Sequence, residues 1–248
     1  MRYMITACLL FAVVPVLAGE TLADRLCAGF DSVTSLSCQS RKTVSMGGDT
    51  VTMLSHVYFQ HPARLHVENV SPLKRLIVAD GSTFYLHHRG KTKGFSRPLD
   101  RLDPVWRMMV DAVAATPLEH ILRLRGLAEQ ELPPAAALPV RRGYTIATNI
   151  FVVLNCDATG RLARIEYFAS PAAQNKTVSV DYANFVAVSS NCWLSLLQKT
   201  IATVGTNTVV ETRRFDNIEF NRPIDPQFFN PKGYFAGVKF VDDLSKME

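Results

Sequence analysis

The sequence has little of what catalysis would need. It contains no GxSxG elbow, no HExxH pair, no phosphate-binding P-loop and no dinucleotide fingerprint, the motifs that mark many hydrolases, metalloproteases and nucleotide enzymes. No CxxC or spaced histidine pair provides the ligands of a zinc site. Adjacent His87 and His88 would point to opposite faces of a strand and could not easily share an ion. We therefore expect a non-catalytic protein without a cofactor or a metal.

The chain also lacks a concentrated basic region. Its 27 basic and 22 acidic residues give a net charge of +5, and the basic residues are dispersed apart from short pairs such as Arg141-Arg142. Binding to nucleic acid favours a basic stripe interleaved with stacking aromatics. The dispersed pattern argues against binding to nucleic acid. The small positive excess is better interpreted as a weakly basic surface that faces anionic membrane lipids.

Only one long apolar run is present, and it lies at the N-terminus. Arg2 precedes the run 4–17, and Val16-Leu17-Ala18 has the small-residue pattern that a signal peptidase reads. The alternative is a membrane anchor, but the run is shorter than the ~20 residues that span a bilayer. We expect residues 1–18 to be a cleaved signal peptide and residues 19–248 to form a single periplasmic domain.

Cysteine is scarce in the expected mature chain. Cys8 falls in the signal peptide, which leaves Cys27, Cys38, Cys156 and Cys192. An even number in an exported protein favours disulfides, and four cysteines permit three connectivities. We predict the pairs Cys27–Cys38 and Cys156–Cys192, because the members of each pair lie close in sequence. A zinc site and buried free thiols are the alternatives.

Alternating apolar and polar residues dominate most of the chain. After a short helix at 20–28, they predict strands at 35–44, 50–59, 64–68, 75–79, 83–88, 150–154, 163–167 and 178–182, and a hairpin of 193–203 with 208–220. Asp80-Gly81 is a strong signal for a tight turn. Because such strands have one apolar and one polar face, we expect an antiparallel sheet with one face in water.

The middle of the chain, 102–125, has helical spacing instead. Trp106, Met109, Val110 and Val113 fall at i, i+3, i+4 and i+7. A second helix continues after a break at Thr116-Pro117, where proline fits its first turn. We expect both helices to lie against the apolar face of the sheet.

Four segments together resemble a known family. His61-Pro62-Ala63-Arg64-Leu65, followed by Val78-Ala79-Asp80-Gly81-Ser82-Thr83-Phe84-Tyr85, resembles the signature of the periplasmic lipoprotein-carrier (LolA-like) superfamily. In that family a basic residue and a proline open a strand, and a DG hairpin with an aromatic follows. Thr116-Pro117-Leu118-Glu119-His120-Ile121-Leu122 is similar to its lid-helix segment, and 221–229 resembles its closing segment.

The resemblance implies a mainly β fold, an incomplete (open) antiparallel barrel of about eleven strands with lid helices on its concave side. It also implies an apolar cavity for acyl chains and no catalysis. Where the carriers place an arginine before the proline to latch the helices, this chain has His61. The latch would then be weaker, pH-dependent or missing, as expected of a divergent member.

The predicted ligand-binding residues are apolar side chains of the concave face and of the lid. Ordinary packing of helix on sheet is the alternative for the lid residues. The predicted set is Leu65, Val67, Phe84, Leu86, Trp106, Met109, Val113, Leu118, Ile121, Leu122, Ile165, Tyr167, Val178 and Val180.

Three functions remain open at this point. The leading one is a periplasmic carrier or chaperone that binds the acyl chains of a lipoprotein or lipid. The second is an envelope sensor or assembly module that binds a protein partner, and the third is a hydrolase. We expect acyl chains as the ligand, inner- or outer-membrane proteins as further partners, no nucleic acid, and a monomer.

Overall fold

The described part of the chain covers residues 19–112, 116–172, 175–189 and 192–247 of a computed structural model. The signal peptide predicted for residues 1–18 lies outside this part. None of the helices described there is long and apolar enough to cross a membrane.

The described residues form fourteen strands, three short α-helices and five 3-10 turns. The first half consists of α1 (Leu22–Asp31), β1 (Ser35–Met46), β2 (Asp49–Gln60), β3 (Arg64–Ser71), β4 (Arg75–Asp80), β5 (Thr83–His88), β6 (Lys93–Pro98) and α2 (Pro104–Asp111). The second half consists of α3 (Leu118–Ile121), β7 (Glu129–Glu131), β8 (Val140–Ala147), β9 (Ile150–Cys156), β10 (Leu162–Phe168), β11 (Lys176–Ser189), β12 (Cys192–Val204), β13 (Asn207–Phe220) and β14 (Lys239–Val241).

All fourteen strands belong to one open sheet, in the order β14-β6-β5-β4-β3-β2-β1-β13-β12-β11-β10-β9-β8-β7. The neighbours are antiparallel except for β14 and β6. The predicted mainly β, open antiparallel architecture is confirmed, with fourteen strands instead of about eleven. Among the strands that the alternation did not predict, β6 and β8 contain Gly94 and Gly143, whose lack of a side chain interrupts the pattern.

The helices are short, and α1 and α2 each begin at a side-chain cap, whereas α3 begins after Pro117 without one. At α1 the Thr21 hydroxyl accepts a hydrogen bond from the Asp24 amide, and the Asp24 carboxylate accepts one from the Thr21 amide. At α2 the Asp103 carboxylate accepts from the Val105 amide at 2.9 Å. The second predicted helix is a single turn, α3, continued by a 3-10 turn at Leu122–Leu124.

Both faces of the sheet are covered around β3–β6, which corrects the prediction that one face meets water. The helices pack on the face that carries the main apolar core, which we call the concave face. On the convex face, Phe228 stacks on Tyr58 with ring centroids 4.0 Å apart, and Phe235 forms a second small core with the buried Leu76 and Val78. The segment after β13 therefore acts as an outer cover for this half of the sheet.

The predicted disulfides are wrong, because all four cysteines are buried free thiols. Cys156 ends β9 and Cys192 begins β12, with β10 and β11 between them. Three strand spacings amount to roughly 14 Å, whereas a disulfide requires Cα atoms about 4.4–6.8 Å apart. Cys27 and Cys38 lie on α1 and β1, and burial raises the pKa of their thiols to about 11 and about 12.

Candidate functional site

The concave face brings together the predicted lining residues of the sheet. In β10 and β11, Ile165 is opposite Val180 and Tyr167 is opposite Val178, and directly opposed residues point to the same face. The same relation places Leu65, Val67, Phe84 and Leu86 together in β3 and β5, through Ala79 and Ile77 of β4. All eight side chains belong to the main apolar core or pack against it.

The helices contribute most, but not all, of the expected apolar side chains. Trp106 packs on Phe84 with ring centroids 5.6 Å apart, and Val110 is fully buried. Met109, by contrast, is 37 % exposed, because α2 turns Val110 and not Met109 towards the sheet. Val113 lies outside the described residues.

The segment that begins with α3 is more deeply buried than α2. Leu118 and Ile121 are buried in the main core, and Leu122 packs against it from a half-buried position. Leu124, which the sequence analysis did not select, is fully buried. The concave face is thus covered by apolar residues of short helices in this conformation.

Two grooves open beside the covering helices. A groove of about 390 Å³ lies beside α2 and is bounded by Leu86 and Trp106. A larger groove of about 700 Å³ follows α1 and is bounded by Leu22, Leu26 and Trp193. The first groove places two of the predicted ligand-binding residues at an opening to solvent.

A polar cluster joins α3 to the concave face. His120 Nδ1 lies 2.9 Å from the Tyr167 hydroxyl, and Arg123 donates to the same hydroxyl at 3.4 Å. Glu119 lies 3.6 Å from Arg213 on β13. Because the Tyr167 hydroxyl accepts from Arg123, its own proton can be donated to a neutral His120. We call these five residues the α3 cluster.

Burial determines the charge state of His120. It lowers the pKa of the imidazole, because the charged form would lose hydration in the core. Glu119 opposes the shift, whereas Arg123 and Arg213 add to it. The closed position of α3 therefore favours the neutral imidazole.

His61 does not occupy the predicted latch position. It lies in the exposed turn between β2 and β3, where its backbone amide donates to the Thr34 carbonyl at 2.8 Å. Within the described residues, its side chain forms no hydrogen bond or ion pair with α2 or α3. His120 forms the contact that holds α3, through Tyr167. Its place inside the largely apolar segment 118–122 is the sequence feature that could have identified it.

Comparisons with known proteins give a match of fold without a match of sequence. No protein-family model and no curated protein matches the chain. The LolA superfamily protein NE2245 from Nitrosomonas europaea matches with a TM-score of 0.54 and 11 % identity over 86 % of this chain and 99 % of that one. The chain has a LolA-like fold.

Two other solved structures agree with this assignment. A DUF1329 family protein from Desulfovibrio piger has a TM-score of 0.56 and 11 % identity, over 86 % of this chain and 95 % of that one. A domain assigned to outer membrane lipoprotein sorting, from Vibrio parahaemolyticus, has a TM-score of 0.55 and 9 % identity, over 86 % and 96 %. The resemblance that the sequence segments predicted is confirmed at the level of the LolA-like fold.

Proposed function

We propose that this LolA-like protein is a periplasmic carrier that holds the acyl chains of a lipid or lipoprotein against its concave face, without catalysis. The observation that supports this most is the nature of the cover. An extensive apolar face is closed by α2, with eight residues, and α3, with four. Isolated helices of this length are unstable in water, so their closed position depends on contacts that a ligand can replace.

The energies of cover and ligand are comparable. Full burial of an aliphatic side chain stabilises by about 1.5–3 kcal/mol, so Val110, Leu118, Ile121 and Leu124 together stabilise closure by an upper value of about 12 kcal/mol. An acyl chain contributes about 0.8 kcal/mol per buried methylene. A single long chain therefore roughly balances the cover, and a ligand with two or three chains displaces it.

The groove beside α2 gives such a ligand a point of entry. Leu86 and Trp106 bound this groove, and Trp106 also packs on Phe84 of the concave core. A chain that displaces Trp106 would reach Phe84 next. The carrier function thus needs a shift of α2 and α3, while the sheet keeps its shape.

Added volume on the concave face tests this function. Val178 is half-buried there, and we expect Val178→Trp to weaken the binding of a fluorescent acyl probe by roughly tenfold, since overpacking costs about 1–3 kcal/mol. Thr177 is exposed on the other face of β11, so Thr177→Trp is the matched control. Equal probe binding by the two variants, both folded, would refute the proposal.

Native mass spectrometry of the mature protein, purified from a periplasmic extract, tests the ligand directly. Co-purified lipid or lipoprotein, reduced in Val178→Trp but not in Thr177→Trp, is the expected result. A protein partner without lipid would favour the envelope sensor or assembly module instead.

A further inference from the structure

The order of the strands places six turns at the same end of the sheet. Successive antiparallel strands reverse direction, so every second connection lies at one end. We call this the turn end. It consists of the connections 46–49, 71–75, 88–93, 147–150, 168–176 and 204–207, of which residues 173–174 are outside the described part.

Exposed apolar side chains are concentrated at the turn end. Ten large hydrophobic side chains are exposed in the described residues, and six of them lie in these turns or in the adjoining ends of the strands, on three hairpins that are neighbours in the sheet. Leu73 is 52 % and Val204 is 59 % exposed. The six residues are Met46, Val51, Leu54, Val70, Leu73 and Val204.

The same end has an excess of positive charge. Its turns contain six basic residues and one acidic residue, Asp49. Arg89 is paired with Glu68, and Lys176 with Glu166. Lys74 and Lys91 are exposed, and no described carboxylate forms an ion pair with them. The six basic residues are Lys74, Arg75, Arg89, Lys91, Lys93 and Lys176.

We infer that the turn end docks on a lipid surface that carries anionic headgroups, with the apolar turn residues in the interface and Lys74 and Lys91 at the phosphates. The charge complements that of anionic lipids, for which each basic residue near the surface contributes about 1 kcal/mol. The apolar residues are spread along three adjacent hairpins, which suits a flat surface better than the packed central anchor of a protein interface. Docking goes beyond the proposed carriage of acyl chains, because it uses the ends of the strands and not the concave face.

Vesicle flotation of the full mature chain tests the inference. We expect binding to vesicles of phosphatidylcholine with phosphatidylglycerol, weaker binding at high salt, and little binding to phosphatidylcholine alone. Lys74→Ala/Lys91→Ala should weaken binding by about 25-fold, since each charge is worth about fivefold. The control is Arg101→Ala/Lys232→Ala, two exposed basic residues outside the turn end, which should bind as the unmodified protein does.

The apolar contribution requires a second pair of variants. Leu73→Ser should lower vesicle binding even at low salt, whereas Val105→Ser, at an exposed position on α2, should not. Equal binding to the two kinds of vesicle would overturn the inference. An equal loss of vesicle binding in Lys74→Ala/Lys91→Ala and in its control Arg101→Ala/Lys232→Ala would overturn it as well. So would self-association that Leu73→Ser abolishes, because a second copy would then cover this end.

Failure of docking can be distinguished from failure of the carrier function. Acyl-probe binding in solution, without vesicles, should be unchanged in the single variant Lys74→Ala, because Lys74 contributes neither to the concave core nor to the groove beside α2.

Discussion

His120 and Tyr167 form the contact that fixes α3 on the sheet. Burial in the closed position lowers the pKa of the imidazole and so favours its neutral form, and the Tyr167 hydroxyl connects it to Arg123. Glu119, Arg213 and Glu211 surround the pair. Histidine is the side chain whose ordinary pKa lies close to neutral pH, so we expect the charge of His120 to change on acidification below that value.

We predict that acid loosens α3 through His120. The pKa of His120 in the closed form is lowered from the ordinary value of about 6.5. The contribution of neutral His120 to the stability of the closed form is therefore complete above about pH 6.5. As the pH falls towards the lowered pKa, the open form binds a proton that the closed form rejects, and closure loses stability. Hydrogen exchange of residues 118–124, corrected for intrinsic rates, should show lower protection at the acidic pH.

His120→Gln separates this effect from general acid sensitivity. It should remove the pH dependence in this segment, whereas His61→Gln, in the exposed turn, should preserve it. An unchanged pH response in His120→Gln would show that another group opens the segment.

The three helices differ in how they are held, although each is short. The Leu22 amide donates to Glu129 Oε2 at 2.6 Å, and the Ala23 amide donates to the Tyr144 hydroxyl at 3.0 Å, so the first turn of α1 is bound to β7 and β8. The α2 segment is held by packing, with Arg107 donating to the Leu99 carbonyl at 3.2 Å. We therefore predict that α1 stays fixed while α2 moves, and that α3 moves only when its contacts with Tyr167 and Arg213 break.

Hydrogen exchange with and without an acyl ligand tests this division. We expect α2 and α3 to lose protection when ligand binds, because the chains replace their apolar contacts, while α1 keeps its protection. Tyr144→Phe leaves the Ala23 amide without its partner and should release α1, at a cost of about 1–3 kcal/mol in the free energy of unfolding. Equal protection of all three helices with and without ligand would mean that α2 and α3 are fixed core.

At the scale of the molecule, the concave half could be predicted from sequence and the convex cover could not. Strict alternation of apolar and polar residues, a local signal, predicts the shared face of Ile165, Tyr167, Val178 and Val180. Phe235 follows the irregular turns after β13 and has no periodicity to mark it. Its contact with β4 and β5 is a long-range property that local patterns do not contain.

Met109 and His120 illustrate the same limit within the lid. Met109 belongs to the predicted apolar stripe and His120 lies beside it, but the rotation of each helix decides which side chain faces the sheet. That rotation follows from tertiary packing, here the burial of Val110 and the hydrogen bond between His120 and Tyr167. Helix existence was therefore predictable, and the precise lining was not.

We expect the outer cover on the convex face to contribute to the stability of the fold, and the helices on the concave face to control ligand binding. Phe235 is buried on the convex face against Leu76 and Val78, away from the concave core. We expect Phe235→Ala to lower the free energy of unfolding by about 3 kcal/mol, measured by urea denaturation, because a large buried ring is removed. The folded fraction should bind an acyl probe with unchanged affinity, in contrast to Val178→Trp. If folded Phe235→Ala lost probe affinity as Val178→Trp does, the two faces would be coupled through the sheet, and the outer cover would belong to the binding machinery.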